Sequence, residues 1–444
     1  MTYAEAVNRL LGLRRGEITG MAPGLERIEA LLASLGHPET RFTLAQIGGT
    51  NGKGSTASML ASMLKAAARR VGLFTSPHLV SFRERIRVDG APIAEDAVVD
   101  GIDALGTQIA RVDATMFEAA TALALDHFAQ EGVEVAVLEV GLGGRGDATT
   151  VGRPAVTVLT RIDFDHEAWL GRSIESIADA KAAIIRSGTA ISSAQRPEAR
   201  AIIERRAAEV GVPLLVEGRD LHVAVRASGL EGQRIDCAGP GFALDDLALP
   251  LLGLHQPSNA LAAVAAARVL GVPEAAVRTG LARARWPGRL QIVRRDPLTI
   301  LDGAHNPDGA RALAASLRAL LGDARITFVL GIYADKDARG IVDALAPLAR
   351  HVVLTRAANE RAADPASLAA LVDAGTPTTV TASVAEALSV AAASSPTPIV
   401  CVAGSLAVVG EALRALSGSD IPCPIENGAG SMDAFRDRDF RDTS

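Results

Sequence analysis

The sequence is short of several things that would have pointed elsewhere. Aromatic residues make up only 3% (10 Phe, 2 Trp and 2 Tyr), too few for the stacking platforms that hold single-stranded nucleic acid. Basic residues form no block, and 45 Lys plus Arg against 51 Asp plus Glu leave a net charge of −6, which disfavours duplex DNA. No run of about 18 apolar residues occurs, so nothing in the sequence spans a membrane. Residues 1–17 carry an amphipathic helical pattern broken by Glu5, Arg9, Arg14 and Arg15, unlike the continuous apolar stretch of a signal peptide. Only three cysteines are present, Cys237, Cys401 and Cys423, an odd number without metal-ligand spacing. With no disulfide framework a reducing compartment is expected. These absences predict a cytoplasmic protein that binds neither nucleic acid nor membrane.

What is present is an ordinary globular composition, 48% hydrophobic and 22% charged, with Ala, Leu and Val carrying the core and 42 glycines. At roughly 150 residues per domain, 444 residues suggest two or three domains. Short β-branched runs alternate with Ala/Leu-rich amphipathic stretches, the pattern of βα units around a mostly parallel sheet. Strands are predicted at 42–47, 71–75, 133–140, 155–160 and 189–192, with helices at 55–70, 114–131, 174–186 and 196–210. A second series follows Trp286-Pro287-Gly288, with strands at 299–301, 326–330, 352–355 and 399–403 and helices near 309–321 and 385–393. Residues 220–251 are less regular and predict short antiparallel strands. The Asp-, Arg-, Gly- and Ser-rich tail from 426 to 444 predicts disorder.

The sharpest motif is Gly48-Gly49-Thr50-Asn51-Gly52-Lys53-Gly54-Ser55-Thr56, between a predicted strand and a predicted helix. Glycines let amide groups curl around phosphates, the helix N-terminus favours negative charge, and Lys53 can reach the β- and γ-phosphates. Ser55 or Thr56 can support Mg²⁺. The match to G-x-x-x-x-G-K-[ST] is imperfect, because Gly54 separates lysine from hydroxyl; the competing reading is a flexible glycine turn.

Glu139, in Leu138-Glu139-Val140-Gly141-Leu142-Gly143-Gly144-Arg145-Gly146-Asp147-Ala148, ends an apolar strand where α/β proteins place ligands. A carboxylate leaving a hydrophobic strand needs a cation, and Mg²⁺ suits it; a structural turn remains an equal alternative. His166 follows the next strand in Thr160-Arg161-Ile162-Asp163-Phe164-Asp165-His166. Since Mg²⁺ prefers oxygen, its role stays open between ligand and structural histidine. Ser76, in Thr75-Ser76-Pro77-His78-Leu79, falls on the same sheet edge. In the second series, Leu301-Asp302-Gly303-Ala304-His305-Asn306-Pro307 again puts polar groups beyond a strand. Arg289 follows Trp286-Pro287-Gly288 on the linker, where it reads either as a triphosphate contact on closure or as a solvated hinge arginine.

In order along the chain, GTNGKGST, SPHL, LEVGLGGRGDAT, DHEAWLG, PGRLQIV, LDGAHNP, GIYADKD and VAGSLAVVGEA resemble the bifunctional dihydrofolate synthase/folylpolyglutamate synthase family of the Mur ligase superfamily. The resemblance covers about residues 20–410. It implies an α/β fold, with a P-loop ATPase-like N-terminal domain (1–288, mostly parallel sheet, binding ATP and pteroate) and a smaller Rossmann-like C-terminal glutamate-ligase domain (289–425). It implies that Thr50, Asn51, Gly52, Lys53, Gly54, Ser55, Thr56, Asn259, Arg289, Asp302 and His305 bind ATP. It further implies Ser76, Glu139, His166 and Lys181 as ligands of two Mg²⁺ ions, Lys181 acting as a carbamate. Thr115, Phe117, Glu118, Asp147 and Ala148 would line the pteroate pocket, and Lys53, Lys181, His166 and Arg289 would be catalytic. The implied partners are ATP, dihydropteroate, tetrahydrofolate or its polyglutamates, and L-glutamate, acting on a monomer through an acyl phosphate.

Some positions depart from the family pattern. Ala22 stands where an acidic residue commonly precedes GLER, and Gly146 replaces a leucine before Asp147; both changes weigh against dihydrofolate synthase activity. Ala180 and Ala183 replace the residues usually flanking the lysine. Two other readings compete. A ligase acting on a peptidoglycan precursor would carry a further domain of on the order of 100 residues before the phosphate loop, whereas 47 residues precede Gly48. A non-catalytic ATP-binding regulator would not need Lys53, Glu139, His166 and Lys181 together.

Overall fold

The computed structural model describes residues 1–15, 24–393 and 399–416. Ala22, Cys423 and the expected disordered tail lie outside the described residues. The larger sheet has eight strands in the order Ala91–Pro92, Ile86–Val88, Val71–Phe74, Val135–Glu139, Thr43–Gly48, Pro154–Leu159, Thr189–Ser192 and Leu214–Val216. From Val71–Phe74 onward every pairing is parallel, and the first two strands are antiparallel. Parallel strands covered on both faces read as unbroken apolar runs, as Val135–Glu139, buried throughout, does. Thr43–Gly48 lies at the centre. The chain builds on one side of it up to Val135–Glu139, then crosses to Pro154–Leu159 on the other. Such a reversal leaves a crevice at the carboxyl ends of these three strands.

The second sheet has six strands in the order Gln291–Arg295, Leu298–Leu301, Val400–Ala403, Ile326–Leu330, Ala349–Leu354 and Thr378–Val380, parallel except for the first pair. Its faces are filled by two clusters of its own, around Phe328 and Leu313 and around Val329 and Val409. The irregular region becomes a three-stranded antiparallel sheet, His222–Gly229, Gly232–Gly239 and Phe242–Leu249. Ile235, Cys237, Leu244 and Leu247 face the core, while Arg226–Asp236 and Arg234–Asp246 pair on the solvent side. No helix among the described residues is long and apolar enough to cross a membrane.

Two predicted helices shift. The helix expected at 55–70 runs Lys53–Ala66, because the chain turns at Ala68 with φ 58°. The helix expected at 174–186 ends at Ala182, and Ile184 leaves the axis to pack beneath Gly48 and Gly144. Helices Glu95–Val112, Gln256–Val269 and Glu274–Arg283 were not foreseen. Gln256–Val269 is buried on nearly all faces, so it has no polar stripe to set a period. With Glu274–Arg283 it packs on Lys53–Ala66, fixing the direction in which the phosphate-loop helix points.

Candidate active site

The crevice opens into a cavity of about 1220 Å³ reaching from the larger sheet to the second one. That exceeds the roughly 300–1,000 Å³ of a typical small-molecule site. Helix Lys53–Ala66 begins at the cavity wall, so the amides of its first turn have no intrahelical acceptor and are available to an anion. Gly52, with φ 96°, makes the turn, and a Cβ there would lie 2.3 Å from Asn259 Oδ1. The amides of Thr50 and Asn51, in contrast, donate to the Arg161 carbonyl at 2.9 and 3.3 Å. Lys53 Nζ donates to Thr50 O at 3.0 Å, folded onto its own loop. Ser55 lines the cavity and accepts from Gln256 Nε2 at 3.3 Å. Thr56 does not line it: fully buried, it directs Oγ1 to the Asn259 carbonyl at 3.5 Å.

Glu139 closes its strand at the cavity wall, with Oε2 accepting from the Ser76 amide at 3.1 Å. Burial pushes its carboxyl up, against the pull of Lys53, Arg289 and Arg85. A buried carboxylate with one hydrogen bond and a neighbouring hydroxyl is a donor set that suits Mg²⁺. His166 and Lys181 line the same cavity. Among the described residues no hydrogen bond joins either to Glu139, and no three His, Cys, Asp or Glu side chains group into a metal centre. Burial lowers His166 to about 4 despite Asp165, so its imidazole is neutral. Lys181, 4% exposed, donates to the Gly49 carbonyl at 2.9 Å. Burial, reinforced by Lys53, lowers its amine to about 7.

The second sheet supplies the opposite wall. Asp302 follows Leu298–Leu301 and accepts from the amides of Leu290 at 2.8 Å and Ala304 at 2.9 Å. It thereby ties down the linker carrying Arg289, whose guanidinium donates to the Gly288 carbonyl at 3.0 Å. His305 Nδ1 lies 2.8 Å from the Gly303 carbonyl, leaving Nε2 to face Asp165 at 3.9 Å.

Three expected pocket residues line the cavity with protein partners already in place. Thr115 and Glu118 form a capping box on Met116–Gln130, and Arg27 Nε is 3.0 Å from both Glu118 oxygens. Asp147 accepts from the amides of Leu142 and Thr149, each at 2.9 Å, while burial raises its carboxyl. These groups border the cavity but are committed to shaping its wall. Phe117, packed on Phe74 with ring centroids 5.7 Å apart, and buried Ala148 supply apolar lining.

Sequence reasoning assigned nothing to Asp165 and Lys336, although both fell inside quoted motifs. Lys336 Nζ donates to Asp165 Oδ1 at 2.9 Å, and Asn306 Nδ2 to Asp165 Oδ2 at 3.2 Å, joining the two walls. Burial opposes the charge of Asp165, but His166, Lys336 and His305 outweigh it and hold the carboxyl well below the ordinary range.

Residues 47–267 match the Mur ligase middle domain, and 288–406 match the Mur ligase, glutamate ligase domain. The chain is 36% identical over 438 residues to a probable bifunctional folylpolyglutamate synthase/dihydropteroate synthase of Haloferax volcanii, covering 95% of this chain but 51% of that relative. It is 36% identical over 351 residues to the dihydrofolate synthase/folylpolyglutamate synthase of Bacillus subtilis, covering 75% of this chain and 81% of that one. Among solved structures, E. coli FolC in complex with DHPP and ADP superposes with a TM-score of 0.86 at 34% identity, covering 94% of this chain and 98% of that one.

Proposed function

Because the chain belongs to the dihydrofolate synthase/folylpolyglutamate synthase family of Mur ligases, we propose that it is an ATP-dependent ligase joining L-glutamate to a folate-type carboxylate. The observation that carries this reading is the shared cavity: phosphate-loop helix, Glu139 and Lys181 on one wall, Arg289, His305 and Lys336 on the other. Its volume suits two substrates together, and the complex of E. coli FolC with DHPP and ADP supports the same pairing of ligands.

In the proposed reaction the γ-phosphoryl group moves from ATP to the acceptor carboxylate, breaking its bond to the bridging oxygen and releasing ADP. The glutamate amine then attacks the acyl carbon, loses a proton, and expels phosphate as the amide forms. Lys53 and the first-turn amides of its helix hold phosphate oxygens, and Arg289 adds charge from the linker. Glu139 and the Ser76 hydroxyl would hold Mg²⁺, which when bound neutralises phosphate charge. With its amine lowered to about 7, Lys181 is partly uncharged at neutral pH and able to add to CO₂, losing a proton and becoming an anionic carbamate for a second ion. Phe117 and Ala148 form the apolar side of the acceptor pocket. The proposal includes a division into 1–288 for ATP and acceptor and 289–425 for glutamate. The family matches ending at 267 and beginning at 288 support it.

The test is phosphate release with ATP, Mg²⁺ and L-glutamate, varying only the acceptor. Turnover with tetrahydrofolate alone makes the enzyme a polyglutamate synthase, and turnover with dihydropteroate as well makes it bifunctional. Silence with both, alongside activity on a UDP-muramyl acceptor, overturns the reading.

A further inference from the structure

Asp308, on helix Pro307–Leu321 of the second sheet, reaches across to the phosphate loop. Its Oδ2 accepts from Asn51 Nδ2 at 2.8 Å, and its Oδ1 lies 3.4 Å from Arg161 Nη2 and 3.7 Å from Arg311 Nη2. The carboxylate side chain is 12% exposed and faces the cavity that holds Lys53 and Gly52. The Asn51 side chain is engaged at both ends, since its oxygen also receives Asn306 Nδ2 at 3.4 Å. One anionic group from the second sheet therefore takes up an amide and two guanidinium groups at the rim of the phosphate loop.

Carboxylate and phosphate oxygens accept from the same donors, with the same preference for guanidinium. They also repel each other in a partly buried cleft, where screening is weak. We propose that Asp308 is a displaceable internal anion, holding Asn51, Arg161 and Arg311 until a nucleotide phosphate competes for them. Arg161 has a second partner in Asp163, at 3.2 Å, so it does not depend on Asp308 for its place. Because Asp308 and the phosphate loop belong to different sheets, releasing it removes one of the hydrogen bonds that tie the walls together. Nucleotide binding is thus coupled to their arrangement. This rests on the ligase reading only in taking the nucleotide as the ligand.

The test is calorimetric titration of the full chain with a non-hydrolysable ATP analogue and, separately, with inorganic tripolyphosphate. Asp308→Asn and Asp308→Ala should bind both probes on the order of tenfold more tightly than wild type, while Asp308→Glu should stay at the wild-type affinity. Tripolyphosphate separates the phosphate seat from any effect on the nucleoside. Unchanged or weaker binding in Asp308→Asn and Asp308→Ala overturns the proposal, as does equal tightening in Asp308→Glu. Wild-type protein that binds neither probe takes down the ligase reading as well.

Discussion

Glu118 and Glu139 are both buried glutamates, yet what holds them differs. Both oxygens of Glu118 are engaged by Arg27 and the Thr115 amide, so the carboxylate is already compensated. Glu139 has the Ser76 amide, and burial pushes its carboxyl up. Removing the first should therefore cost stability, and removing the second should cost chemistry. Glu118→Ala is expected to lower unfolding free energy by about 2 kcal/mol in urea titration, since it breaks a capping box and removes the part-buried ion pair with Arg27. Unchanged stability with weakened acceptor binding would make Glu118 a direct contact of the acceptor. Glu139→Gln and Lys53→Ala should each abolish phosphate release with circular dichroism and melting temperature near wild type; wild-type rates in either variant would sink their assignment. Asp147 stood in a motif, and Thr115 and Glu118 came only from the family resemblance, but the commitments of all three were hidden, because a sequence does not display which amide a carboxylate meets. Asp165 and Lys336 escaped for a related reason: their bond joins residues 171 positions apart.

At the scale of elements, periodicity found several helices with one wet face and most strands with β-branched runs, though not the amphipathic Glu95–Val112. It missed Gln256–Val269, whose alanines are buried all round. That helix, with Glu274–Arg283, sets the phosphate-loop helix by close approach. A Cβ on Gly280 would lie 2.4 Å from the Met63 backbone. Gly280→Ala should accordingly force the two helices apart and destabilise by about 1–3 kcal/mol. Gly211 offers the comparison, since its Cβ would meet nothing within 4 Å although φ is 72°. Gly211→Ala should lose only about 1 kcal/mol, from backbone strain alone. Equal losses in denaturant unfolding would mean that packing against Met63 does not position the helix.

For the whole molecule, the decisive feature is that neither sheet contains the site. Lys53, Glu139 and Lys181 stand on one wall, Arg289, His305 and Lys336 on the other, and group transfer demands that they stay in register. Besides the polar bridge at Asp165, register depends on helix Leu406–Leu416 lying against the loop after Val71–Phe74. A Cβ on Gly410 would come 2.0 Å from the Leu79 carbonyl oxygen, rigid backbone that cannot swing aside. Gly410→Ala should therefore wedge the walls apart while leaving both sheets intact. Misplacement by about 1 Å suffices to lower a positioned reaction by as much as 100-fold. Nucleotide affinity, which rests mainly on the phosphate loop of one wall, should not fall in step with turnover. Steady-state kinetics beside calorimetric titration of the ATP analogue separates the two effects. A parallel loss of nucleotide affinity and turnover would mean that the substitution damages the larger sheet itself, and that Gly410 does not set the distance between the walls.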